Sequence, residues 1–237
     1  MVELSSLESL IQSRHLTDDA VQSYRSTFEE NPARFVALED FLLPEFAERL
    51  SAFLRNEGKF QTEYGLYSLE DRGASEEEWG SAPEEDRFFR FGKLVGTPPE
   101  FQLSDNSLAY LRLRSTFQQD DALRSFFETA TGIELGTSDD FGSHSMGVGD
   151  FLKPHDDDNR NRRLALVLYL APDWAPELGG ELHIADKDGN EWVVEARYNS
   201  LVAFDTRAET THYVAAISEA AGERKRVTIG GWYHDPQ

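Results

Sequence analysis

Two histidines and an aspartate have the residue types and the spacing of a mononuclear metal site. His155 and Asp157 lie two residues apart in FLKPHDD, and His212 follows in the later stretch THYVAAI. On an extended strand, side chains two residues apart point to the same face, so His155 and Asp157 can bind one ion together. Two imidazoles and one carboxylate form the facial triad that leaves adjacent positions on Fe(II) open. Taken alone the spacing is a weak signal, because a histidine beside an aspartate in an acidic chain is more often an ordinary surface pair.

A second pair of residues strengthens the metal-site interpretation. Arg226 and Thr228 follow His212 in the stretch RVTIGGWYH, and on a strand they share a face. There they can donate charge-assisted hydrogen bonds to a carboxylate, such as the distal carboxylate of 2-oxoglutarate. The alternative interpretation is that Arg226 is a surface arginine beside Arg224 and Lys225.

The composition limits both the chemistry and the partners. The chain has no cysteine, which excludes a disulfide framework, Cys-ligated zinc, an iron–sulfur cluster and a thiolate nucleophile. Its 44 acidic and 23 basic side chains give a net charge of −21, which repels nucleic acids and anionic membranes and attracts a basic polypeptide. We therefore expect no nucleic-acid partner and no membrane partner. The N-terminus lacks the pattern of a secretory signal and no apolar run is long enough to span a bilayer, so we expect a cytoplasmic protein.

The elements that must position these residues fall into two parts. Residues 1–56 predict supporting helices, because apolar side chains recur at three- and four-residue steps, with a strand over 34–42 between the second and third helix. The acidic segment 69–86 predicts a solvated loop, in which Trp79 packs back onto the body. Residues 120–130, followed by Gly132, predict a further helix.

After Gly132 the chain changes to short apolar stretches separated by turns. Roughly eight strands at this spacing predict a mainly β fold with flanking helices, a sandwich or jelly roll rather than a βαβ sheet. Residues 186–190 (DKDGN) predict a hairpin turn. The predicted strands are FGSHSMGV, FLKPHDD, RLALVLYL, GELHIA, EWVVEA, NSLVAFDT, THYVAAI and RVTIGGWYH.

These pieces together resemble a known family, the 2-oxoglutarate/Fe(II) oxygenases of the prolyl 4-hydroxylase type, and within it the branch that hydroxylates a proline of a ribosomal protein. Weaker similarity extends through FETATGIEL and RFVALEDFLLPEFAERL. The resemblance implies a double-stranded β-helix, or jelly roll, with its catalytic core at 133–237 inside a single oxygenase domain of residues 1–237. The stretches that carry it are LKPHDDDNRNRRLALVLYLAPDW, PELGGELHI, NSLVAFDT, THYVAAI and ERKRVTIGGWYHDP.

The resemblance also implies roles for single residues. Iron would be held by His155, Asp157 and His212, and the 2-oxoglutarate carboxylate by Tyr169 and Arg226 with Thr228 in support. Fe(II), 2-oxoglutarate and O2 are then the cofactor and co-substrates, with ascorbate as a candidate accessory reductant. One position departs from the family: members carry a tyrosine shortly before the first iron ligand, where this chain has Ser145 and Met146.

The remaining histidines, tryptophans and arginines have simpler explanations. We expect structural or exposed roles for four histidines, because none has a partner at ligand spacing. We expect three tryptophans to pack against the sheet faces, and three arginines after the metal motif to lie in a solvated turn that offsets Asp156 and Asp158. The histidines are His15, His144, His183 and His234. The tryptophans are Trp174, Trp192 and Trp232, and the arginines are Arg160, Arg162 and Arg163.

Three functions from different classes fit the sequence. The first is a hydroxylase of prolyl residues in a protein or peptide, and the second is a hydroxylase of a free amino acid or natural-product intermediate. The third is a non-catalytic jelly roll that senses metal or 2-oxoglutarate. A complete triad together with Arg226 argues against the third, because a scaffold does not need an open metal site.

Overall fold

The computed structural model describes residues 4–69, 72–95, 103–138, 140–157 and 161–236, with side chains from Leu7 onward. Within these ranges no helix is long and apolar enough to cross a membrane. The α-helices are α1 (Asp18–Glu30), α2 (Pro44–Ala52), α3 (Glu76–Ser81), α4 (Asp105–Gln119) and α5 (Asp121–Thr131). Shorter helical turns are Leu4–Ser9, Ser13–His15, Phe53–Glu57, Pro176–Leu178 and Glu219–Ala221.

In the described ranges eleven strands form one continuous sheet, and the strand pairs found there are antiparallel. Its order is β1-β9-β6-β11-β4-β3-β5-β10-β7-β8, with β2 paired to β3. The mainly β fold predicted from the turn-separated stretches is therefore confirmed. The strands are β1 (Phe35–Leu38), β2 (Phe60–Leu66), β3 (Arg87–Leu94), β4 (Phe141–Met146), β5 (Phe151–His155), β6 (Arg162–Tyr169), β7 (Leu182–Asp186), β8 (Glu191–Val194), β9 (Ser200–Asp205), β10 (Thr210–Val214) and β11 (Arg226–His234).

The side chains of β6 and β11 alternate between two environments. Leu166 and Leu168 on β6 and Ile229 on β11 belong to the main apolar core, which also contains residues of α1, α2, α4 and α5. Ala165 and Tyr169, which alternate with these leucines along β6, belong to a second core cluster on the other face of the sheet. This period of two is why the sheet has one face for the supporting helices and another for Arg226 and the other polar side chains of the cavity described below.

The supporting helices match their predicted positions in part. Helices α1 and α2 occupy the predicted apolar repeats, although the first segment is a 3-10 turn and the predicted strand over 34–42 is only four residues long, Phe35–Leu38. Helix α5 ends as predicted at Gly132, whose φ of 72° is a left-handed conformation that glycine adopts without strain.

The segment between residues 60 and 119 differs most from the sequence interpretation. The acidic stretch 69–86 is not only a loop, because α3 forms there with Ser75 and Glu78 capping each other. Trp79 packs back as predicted, against Tyr64 and Phe151. Strands β2 and β3 and helix α4 were not predicted, and β3 supplies one side of the cavity described next.

Candidate metal and co-substrate site

Strands β5 and β10 bring the two predicted metal-binding histidines together. They pair antiparallel with His212 directly opposite His155, and the two ring centroids lie 4.2 Å apart. Asp157, two residues beyond the end of β5, places one oxygen 3.4 Å from His212 Nε2 and the other 3.9 Å from His155 Nε2. One donor atom from each residue lies within 4.8 Å of the others, so the three can hold a metal ion.

The protonation of this group suits metal binding. His155 Nδ1 lies 2.9 Å from the carbonyl oxygen of Lys153, and because a carbonyl only accepts, Nδ1 carries the proton and Nε2 is free to bind a metal. Burial, aided by His212, lowers the pKa of His155 to about 4. Burial alone would raise the pKa of Asp157, but the hydrogen bond to His212 and the proximity of both histidines outweigh it and lower that pKa to about 2. A neutral His155 and an ionised Asp157 are the forms that bind a cation.

A second group of polar residues lies on β6 and β11, where the predicted co-substrate contacts are found. Thr228 of β11 is paired with Tyr169 of β6, and Arg226 lies two residues before Thr228 on the same face. All three are almost fully buried. The Arg226 guanidinium carbon lies 4.9 Å from the centre of the Tyr169 ring. The structure therefore brings the three predicted residues into one patch.

Arg226 is a buried cation without a carboxylate partner in the described parts of the chain. Its Nη1 donates to Met146 Sδ at 3.3 Å, a weak acceptor, while its Nε and the Tyr169 hydroxyl make no hydrogen bond of ordinary geometry. Burial lowers the pKa of Arg226 and raises that of Tyr169. Gly180 approaches so closely that a Cβ there would lie 2.8 Å from Arg226 Cδ. An anionic ligand would satisfy these donors.

One cavity of about 440 Å³ contains both groups. Aromatic side chains of β3 form a further wall of the cavity. Phe88 lies edge-on to the His155 ring, with 5.4 Å between the ring centroids, and Phe89 stacks on Phe91 with 4.6 Å between theirs. A mostly apolar cavity with a few convergent polar groups is the usual form of a small-molecule site.

The sequence analysis assigned other roles to three residues that line this cavity. His144 is not simply structural or exposed, because it lines the cavity, and burial with the charges of Lys93 and Arg226 lowers its pKa to about 4. In the region of the missing family tyrosine, Met146 faces the cavity while Ser145 faces a separate surface hollow. The contacts of His144 and Met146 depend on strand pairing, so spacing alone did not reveal them.

Trp232, Arg162 and Arg163 also differ from the sequence interpretation. Trp232 does more than pack on a sheet face, because its indole Nε1 donates to Asp157 Oδ2 at 2.8 Å. Arg162 and Arg163 are not in a solvated turn beside Asp156, since both lie in β6. Arg162 bonds to Asp157 and Asp140, and Arg163 bonds to Asp205. Arg160 and Asp158 lie outside the described residues.

His15 is buried in contact with Tyr24, His183 stacks on Tyr213, and His234 lies 3.3 Å from an oxygen of Asp140.

Known proteins resemble this chain in sequence and in fold. Residues 141–234 match the model of the 2OG-Fe(II) oxygenase superfamily. Prolyl 3-hydroxylase OGFOD1 of Xenopus laevis is 34% identical over 118 residues, which are 47% of this chain and 22% of that protein. The Mus musculus protein of the same name is 31% identical over 119 residues, 48% of this chain and 22% of its own length. The chain thus spans about a fifth of the length of these curated relatives.

Solved structures share the fold. A Pseudomonas putida prolyl-4-hydroxylase aligns with a TM-score of 0.60 at 21% identity, covering 92% of this chain and 100% of that one. A Trichoplax adhaerens prolyl hydroxylase, solved with a peptide fragment of a hypoxia inducible factor oxygen degradation domain, aligns with a TM-score of 0.58 at 16% identity, covering 92% and 94%. The predicted jelly roll is confirmed by these alignments. The chain carries a 2-oxoglutarate/Fe(II) oxygenase domain, homologous in sequence to prolyl 3-hydroxylase OGFOD1 and similar in fold to prolyl 4-hydroxylases.

Proposed function

We propose that this chain is an Fe(II)- and 2-oxoglutarate-dependent dioxygenase that hydroxylates a prolyl residue of a polypeptide. The observation that carries the proposal is one cavity with two imidazoles and a carboxylate at donor distance, beside a buried arginine without a carboxylate partner in the described ranges. Two imidazoles and one carboxylate suit iron and leave positions open for other ligands.

Each residue has a defined task in this proposal. His155, Asp157 and His212 hold the metal, with His155 fixed in the correct tautomer by its bond to the Lys153 carbonyl. Bound Fe(II) supplies the activation of O2 for oxidation of a C–H bond, coupled to decarboxylation of 2-oxoglutarate.

The co-substrate is bound from β6 and β11. The Arg226 guanidinium donates to the distal carboxylate of 2-oxoglutarate, and the hydroxyls of Tyr169 and Thr228 donate to the same group. Because all three are buried, the carboxylate is held away from water, where charge-assisted hydrogen bonds are strong. The aromatic side chains of β3 line the same cavity, and an apolar wall limits the access of water to it.

The proline assignment rests on the relatives and on charge. Two curated relatives in the matched region are prolyl 3-hydroxylases, and the net charge of −21 favours a basic polypeptide. A cytoplasmic location and the use of ascorbate remain predictions from the sequence.

The test is a search for products without assuming a substrate. Iron-loaded protein is incubated with 2-oxoglutarate and a cell extract, and peptides and metabolites are compared by mass spectrometry for oxygen-dependent gain of one oxygen atom. We expect a hydroxylated prolyl peptide, and none with His155→Ala protein. Hydroxylation of a free amino acid with no peptide product would make the small-molecule hydroxylase the correct function. Binding of metal and 2-oxoglutarate without any turnover would favour the sensor.

A further inference from the structure

Asp157 is held by two side chains that the sequence analysis assigned elsewhere. Trp232 Nε1 donates to Asp157 Oδ2 at 2.8 Å, and Arg162 Nη1 donates to Asp157 Oδ1 at 3.3 Å. Both carboxylate oxygens are therefore engaged, and the residue is only 5% exposed. A carboxylate offers about four lone-pair sites, so each oxygen that accepts one hydrogen bond still has a lone pair for a metal.

The two donors also contact each other. The Arg162 guanidinium lies 3.6 Å from the centre of the Trp232 ring, a close cation–π contact. Arg162 Nε donates to Asp140 Oδ2 at 3.2 Å, so its charge is shared between two carboxylates. Arg162 is thereby anchored on one side and can orient Asp157 on the other without acting as its sole counter-ion.

The strand register explains why these residues meet. On β6 and β11, His234 is paired with Arg162 and Trp232 with Ala165, which puts both donors at the same end of the sheet. Asp157 follows β5 in an irregular stretch, beyond the last ladder residue His155. Side-chain contacts therefore determine the position of Asp157 to a greater extent than they determine the position of a ligand inside a strand.

We propose that Trp232 and Arg162 are positioning residues that fix the rotation of the Asp157 carboxylate toward the metal. This inference rests on the proposed function, because it requires Asp157 to be a metal ligand. Groups that hydrogen-bond to a metal-binding side chain, rather than to the metal, typically contribute about 10- to 100-fold to metal affinity. The pair would set how tightly the metal is held by acting through Asp157.

Trp232→Phe is the sharpest variant, because phenylalanine keeps an aromatic ring at this position and removes the indole N–H together with the five-membered ring that carries it; Trp192→Phe makes the same change in size. Trp192→Phe, on β8 and outside the cavity lining, is the matched control. Mn(II) is titrated into each metal-free protein and free Mn(II) is measured by electron paramagnetic resonance, so the readout does not depend on turnover. We expect about tenfold weaker binding for Trp232→Phe and unchanged binding for the control.

Arg162→Met is the second variant, because it removes the other donor and leaves the indole in place. It too should bind Mn(II) about tenfold more weakly. The thermal unfolding of the metal-free proteins, compared with the control, separates loss of the fold from loss of the orienting bond. Mn(II) affinity within about twofold of wild type in either folded variant overturns the inference while the proposed function stands. Failure of the wild-type protein to bind Mn(II) overturns both.

Discussion

Arg226→Met removes the buried guanidinium from the cavity while keeping an unbranched side chain. Arg226 is 3% exposed, and its Nη1 contact in the described parts of the chain is the thioether of Met146. In the wild-type protein, burial removes this charge from water, and in the described parts of the chain no carboxylate pairs with it. The substitution should therefore affect ligand binding and stability in opposite directions.

The magnitudes follow from these contacts. A guanidinium can donate two hydrogen bonds to a carboxylate, and a hydrogen bond to a charged group contributes about 1.5–3 kcal/mol. Losing about 3 kcal/mol weakens 2-oxoglutarate binding about 100-fold. Replacing a buried charge by an apolar group is often neutral or stabilising, so the metal-free variant should unfold at the same temperature or up to about 4 °C higher.

The assay is calorimetric titration of 2-oxoglutarate into protein loaded with Mn(II), which binds without turnover. Mn(II) affinity itself should not change, because Arg226 is not among the three candidate ligands. Arg224→Met is the matched control, since that exposed guanidinium donates to the carbonyls of Ala220 and Ala221. Wild-type affinity for 2-oxoglutarate in Arg226→Met would refute the reasoning and place the carboxylate pocket elsewhere.

Further predictions concern the same cavity. Tyr169→Phe removes one hydroxyl donor and should weaken 2-oxoglutarate binding about tenfold, in the same titration. Alanine at any of the three candidate metal ligands should abolish iron binding, measured as metal content after dialysis, and substrate-free conversion of 2-oxoglutarate to succinate. His144 has its pKa lowered to about 4 from 6.5, so the unfolded chain binds its proton first and stability falls as pH drops from 6.5 toward 4. Between pH 6.5 and 4.5, the free energy of unfolding of His144→Leu, measured by denaturation, should fall by about 2 kcal/mol less than that of the wild-type protein. A basic prolyl peptide should bind more weakly as salt shortens the screening length from about 10 Å at 0.1 M to about 3 Å at 1 M, whereas the affinity for the co-substrate should change less, both measured from steady-state rates.

The strands after Gly132 could be predicted because each carries its own signal. Alternating or continuous apolar stretches end at turns such as residues 186–190, where the Asp186 amide bonds to the Asn190 carbonyl. Strand β3 has no such clear alternation, and its partners β2, β4 and β5 lie both before and after it. Helix α3 could have been predicted, because Ser75 and Glu78 have the spacing of a capping box.

The candidate site also contains residues that the sequence predicted and contacts that it did not. The spacing of His155 and Asp157, and of Arg226 and Thr228, predicted residues that share a face, and the structure brings each pair into the cavity. What they bind stays a prediction. The contacts of Trp232 with Asp157 and of His144 with the cavity depend on which strands are neighbours, and no local pattern contains that information.

Strands β6 and β11 each contribute to both ends of the cavity. Tyr169 lies at one end of β6 and Arg162 at the other, and on β11 Arg226 lies at the end opposite Trp232. One end of each strand thus faces the candidate co-substrate carboxylate and the other end holds Asp157. Because a paired strand is stiff, the distance between the metal and the carboxylate pocket is fixed by the sheet rather than by a loop. Arg226→Met should therefore weaken 2-oxoglutarate binding without changing Mn(II) affinity. Trp232→Phe should weaken Mn(II) binding without changing the affinity for 2-oxoglutarate. Equal losses of both ligands in both variants would mean that the two ends are not independent, and that each substitution disturbs the sheet itself.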